Sequence, residues 1–118
     1  MKVPLKEFKW NLDLHEAAQY HVLDTGAKGL LGHDGSSGAT VEKRTKQFLK
    51  KSEVMFASEN LSYGYLQAKD VVLHLLIDHD KPDSIHRKNM MSSTTEHVGI
   101  FSGDHSVYTT MTCLVYGK

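Results

Sequence analysis

The chain has 118 residues, with fourteen Lys+Arg against fourteen Asp+Glu, which sets one domain, 1–118, and excludes the bulk positive field that draws proteins to nucleic acid or membrane surfaces. Cys113 is the only cysteine, so no internal disulfide framework exists, and no apolar run approaches the roughly 18 residues of a membrane span. The unusual feature is eight histidines, the side chains whose charge changes near neutral pH.

The N-terminal MKVPLKEFKW lacks the continuous apolar core of a signal peptide, which suits an intracellular chain or a mature portion of a secreted one. From Asn11 onward Leu14, Ala17, Ala18, Val22 and Thr25 recur at helical spacing, and the pattern predicts a helix to about Thr25, capped by Asn11 and stopped by Gly26. His21 shares the apolar face and is expected as a hydrogen-bonded core histidine. The segment GAKGLLGHDGSSG follows, with a glycine every third residue. It has no proline for a collagen repeat and no strand before it for a phosphate loop, so it is expected as a shaped loop with His33 at its middle.

Thr40 caps a predicted second helix to about Leu49, with Val41, Thr45, Phe48 and Leu49 inward. Lys43, Arg44, Lys46, Lys50 and Lys51 occupy the other faces and are expected as a solvated surface rather than a nucleic-acid patch, since no aromatic residues interleave them. VMFA reads as a short buried strand before the polar SENLSYG. A third helix is predicted over 67–79, with Ala68, Val71, Val72, Leu75, Leu76 and His79 as its buried stripe; Leu73 and Ile77 make it apolar almost all round and therefore central, with Pro82 as its stop. Ser84 can cap one helical turn through IHRKNMM. VGIF and VYTTMTCLVY then predict an antiparallel hairpin turned by SGDH. Helices first and a hairpin last imply an α+β fold, helices packed on the faces of a small antiparallel sheet.

The stretch HLLIDHDKPDSIH crowds His74, Asp78, His79, Asp80, Asp83 and His86 together, yet it has neither the glycine and glutamate of an EF-hand loop nor a zincin HExxH. His74 and Asp78, four apart on one helix face, are more simply a surface pair. No GxSxG elbow is present. Cys113 lies within the apolar TMTCLVY, where a buried thiol is inert packing.

Taken in order, AAQYHVLD, GHDGSSG, SENLSYG, VVLHLLIDHDKPDSIHRKNMM, VGIFSG and YTTMTCLVYG resemble the cysteine-rich secretory, antigen 5 and pathogenesis-related superfamily, the CAP or SCP-like domain, in its short disulfide-free branch. SENLSYG stands where the family has GENL or GENI, with Ser58 replacing the glycine, and HRKN is similar to the family's histidine-arginine-asparagine stretch. The resemblance implies an α-β-α sandwich with a shallow cavity of two histidines and two acids. Carried over, His33 and His86 are the histidines, which could hold zinc or another divalent cation. Glu59 is one acid and Asp78 the other, with Asp80 and His79 as competitors. The same groups could instead form a hydrogen-bonded cluster without metal. The resemblance implies a secreted or cell-surface binding module for a small apolar ligand or an extracellular protein; the alternative is a metal-assisted peptide or ester hydrolase with Glu59 as general base.

Overall fold

The computed structural model describes residues 7–77 and 85–118. Its elements in chain order are β1 (Lys9–Trp10), α1 (Leu12–Gly26), α2 (Val41–Phe48), β2 (Phe56–Tyr63), α3 (Ala68–Ile77), α4 (Ile85–Met90), β3 (His97–His105) and β4 (Thr109–Gly117). The strands form one sheet in the order β1-β3-β4-β2. β3 and β4 form the antiparallel hairpin that their pattern predicts, β2 pairs antiparallel along the other side of β4, and β1 joins β3 in parallel, so the sheet is mixed.

Both faces of β4 are covered, which is why its second half, CLVY, has no polar alternation. On one face Met111, Cys113 and Val115 meet Leu14, Ala18 and Val22 of α1, with Leu61 and Leu49 beside them. On the other, Leu114 and Tyr116 meet Val71 and Leu75 of α3 with Val98. The result is the expected α+β sandwich, in which successive residues of each strand serve opposite layers.

α1 begins where its cap predicts: the Asn11 side chain accepts from the Leu14 N–H at 2.9 Å, and Thr40 caps α2 in the same way at 3.2 Å. Several boundaries differ from the sequence pattern. Gly26 is the last residue of α1 rather than a left-handed stop beyond it, and the lack of a side chain serves packing instead, since an added Cβ would meet the Asp104 carbonyl oxygen. The buried strand is SENLSY rather than VMFA: Met55 is exposed, and a bulge at Ala57, between the paired Phe56 and Ser58, resets the register just before the motif. SGDH extends β3, and the turn falls at Ser106–Tyr108. α3 is an outer helix, not the central one, with Leu73 half exposed; the centre belongs to β4. His79, Pro82 and Ser84, assigned above to the end of one helix and the start of the next, lie outside the described residues.

Candidate functional site

β2 is an edge strand, and its motif residues point alternately into the two helical layers. Glu59 faces the α1 and α2 layer. Its side chain is buried, with Oε2 2.8 Å from His33 Nδ1 and Oε1 2.5 Å from the Arg44 guanidinium. The Cys113 thiol donates to the same Oε1 at 3.0 Å. Asn60 faces the other layer, where its amide donates to the His86 carbonyl at 3.0 Å and to the Tyr116 hydroxyl at 3.1 Å. Asn89 closes this side by donating to Asn60 Oδ1 at 2.8 Å. The two sequence motifs are thus mechanically linked: Glu59 orients His33 from one layer, and Asn60 with Asn89 anchors the helix that carries His86 in the other.

The loop bearing His33 is tied down from below. Gly32 adopts φ +97°, a conformation that side-chain-bearing residues rarely take. Its carbonyl accepts from His21 Nε2 at 3.0 Å and its N–H donates to the Tyr63 hydroxyl at 3.0 Å. His105 Nε2 holds the Leu30 carbonyl at 3.0 Å. His21 is therefore the hydrogen-bonded core histidine its position predicts. Cys113 is core as expected, but its proton is committed to Glu59.

His33 and His86 line one cavity of ≈ 370 Å³ at the edge of β2, together with Gly32, Leu61, Ser62, Tyr63, Tyr65 and His74. His74 stacks on Tyr65 with ring centroids 4.9 Å apart; its spacing from Asp78 gave no sign of this role. Glu59 lies behind the wall, reaching the cavity only through His33. Asp78, the second acid implied by the resemblance, and its competitors Asp80 and His79 lie outside the described residues. Among the described residues no group of three or more His, Cys, Asp and Glu side chains is arranged to hold a metal ion.

Arg44 corrects an expectation. Assigned by charge to the solvated face of α2, it is only 4% exposed. Its position carried a signal, since residues 41, 44, 45 and 48 form the i, i+3, i+4, i+7 stripe of an inward helix face, and a buried charge on such a stripe requires a partner.

The charges around Glu59 set the proton affinities. Burial pushes the Glu59 carboxyl up, but the His33 hydrogen bond, the Arg44 charge and the thiol outweigh it, and the group is held below the usual carboxylate range. The hydrogen bond to Glu59, against the opposing effect of burial, raises His33. Burial, then the Arg44 charge, lowers His21. A raised histidine gives stabilisation that is full below its unfolded pKa of about 6.5 and is lost as pH rises through the folded value; a lowered one loses its contribution as pH falls. In metal-free buffer between about pH 5.5 and 8, His33→Ala should therefore lower Tm at the acid end and leave the alkaline end nearly unchanged. A loss equal at all pH values would show that His33 contributes packing alone.

The sequence model of the cysteine-rich secretory protein family, CAP, matches residues 2–115. No curated protein matches the chain in sequence. Among solved structures, an outer surface protein from Borrelia burgdorferi superposes with a TM-score of 0.77 at 18% identity, covering 97% of this chain and 79% of that one. An extracellular protein containing a SCP domain from Bacillus anthracis str. Ames superposes at 0.73, also with 18% identity, over 97% of this chain and 35% of that one. At such identities the likeness is one of fold.

Proposed function

Because the chain belongs to the cysteine-rich secretory protein family, we propose that it is a secreted or cell-surface binding module whose cavity takes a divalent cation such as zinc on His33 and His86, and whose partner is a small apolar ligand or an extracellular protein. The observation that carries the cation is the 2.8 Å contact between Glu59 Oε2 and His33 Nδ1. Metal-binding imidazoles commonly give their second nitrogen to a carboxylate, which fixes the tautomer and makes the first more basic. Here that arrangement leaves Nε2 of His33 for the cavity that His86 also lines. Two neutral imidazoles form an open set, in which a bound cation would supply Lewis acidity and keep positions for water or ligand.

The surface assignment is supported by the outer-surface and extracellular descriptions of the two structural neighbours. Among the described residues no helix is long and apolar enough to cross a membrane.

The hydrolytic alternative requires Glu59 to take a proton from water. The geometry does not favour it, because Oε1 is held by Arg44 and Cys113 and Oε2 by His33. A carboxylate so engaged positions a neighbour rather than meeting a substrate.

Calorimetric titration of zinc into the protein tests the cation site. The expected result is a saturable heat that is absent from the double variant His33→Ala, His86→Ala. Equal heats from the two proteins would end the proposal.

A further inference from the structure

The cavity wall contributed by β2 displays unused backbone as well as side chains. In the antiparallel ladder with β4, Gly64 N–H donates to the Thr110 carbonyl at 2.8 Å. Residues 60 and 62, in phase with Gly64, therefore turn their backbone groups toward β4, and residues 59, 61 and 63 turn theirs outward. At the first of these the Glu59 carbonyl is already met by the Asn89 amide, 3.4 Å away. Leu61 and Tyr63 are different: their outward N–H and C=O groups have no protein partner among the described residues, although both residues line the cavity. Ser62, between them, is 2% exposed, lines the same cavity, and carries a buried hydroxyl that has no hydrogen-bond partner among the described residues.

We propose that this edge binds an extended peptide segment of a partner protein, which adds as a further strand beside β2 at Leu61 and Tyr63, between His33 on one side and His74 and His86 on the other. Two donor and acceptor pairs separated by one residue recur about every 6.8 Å along a strand, and an extended backbone is the ligand that presents the complementary pairs at that interval. A small apolar molecule would leave these groups unpaired, a loss that a peptide avoids. The docking window is short. Asn89 caps it at Glu59, and Gly64, at φ +85°, bends the chain away at the other end. Specificity then falls to the side chains that flank the window, namely the imidazoles and Tyr65. This inference goes beyond the cation site and uses no metal.

Random heptapeptides displayed on phage are selected against the whole chain in chelator, so that failure of the cation site does not affect the outcome. The selected peptide is then synthesised with N-methyl groups on one or the other set of alternate residues. Methylation of the set facing β2 should weaken binding about tenfold for each hydrogen bond removed, and methylation of the opposite set should be tolerated. Saturating peptide should slow amide exchange at Leu61 and Tyr63 by about tenfold or more. The proposal is overturned if no peptide is enriched, if the two methylation patterns act alike, or if protection falls elsewhere. It is also overturned if Leu61 and Tyr63 become protected by raising protein concentration alone, since the edge would then belong to a second copy of the chain.

Discussion

Glu59→Gln should destabilise the protein by about 3–5 kcal/mol, because it removes the charge that compensates a buried guanidinium while leaving that guanidinium in place. Arg44 is 4% and Glu59 6% exposed, so water cannot replace the lost partner. The substitution also weakens the orientation of His33 and the acceptor of the Cys113 thiol. At about 4 °C per kcal/mol for a chain of this length, Tm should fall by roughly 12–20 °C. The double variant Arg44→Met, Glu59→Gln should recover more than half of that loss, since it removes the stranded charge as well. Thermal unfolding of both proteins measures the difference. A Glu59→Gln protein within about 1 kcal/mol of the parent would mean that the pair is solvated and that Glu59 does not hold the His33 layer together.

Gly99→Ala should be comparably damaging for a different reason. Gly99 lies on β3 where α1 crosses it, and an added Cβ would meet the backbone of Leu14 and His15, coming within 2.6 Å of the His15 Cα. Backbone cannot rotate aside as a side chain can, so α1 must lift from the sheet and loosen its contacts with Cys113 and Val115. Overpacking of this kind costs about 3 kcal/mol or more, or roughly 12 °C in Tm. Gly32→Ala makes a useful contrast: no atom lies within 4 Å of its added Cβ, and the cost there comes from its φ of +97° alone, about 1 kcal/mol. Equal losses at the two positions would show that the helix does not press on the strand at Gly99.

Local patterns determined much of the fold. Asn11 and Thr40 are both caps in the structure because capping depends on a side chain and amides three residues away. The helical stripe of α1 and the apolar run of β4 are likewise properties of one segment meeting a core. Where a signal depended on neighbours distant in sequence, the pattern misled. Leu73 made α3 look central, but whether an apolar helix is covered depends on the layer outside it. β1 could not be paired from its own two residues, because a parallel neighbour is supplied by topology.

For the candidate site, the motif residues His33, Glu59 and His86 were legible by resemblance. Their physical arrangement was not, since three separate segments meet only after β2 takes its place at the sheet edge. Composition gave Arg44 to solvent; the tertiary structure buries it because Glu59 projects into the same layer and a buried carboxylate and guanidinium each lower the cost of the other. The free backbone of Leu61 and Tyr63 is likewise a consequence of strand order. The sequence by itself determined which residues could form elements and which could carry chemistry, because propensity, capping and periodicity act within a few residues. The tertiary structure alone decided which layer each motif side chain enters and which strand is left with an open edge, because a strand's alternation has no orientation until its neighbours are in place.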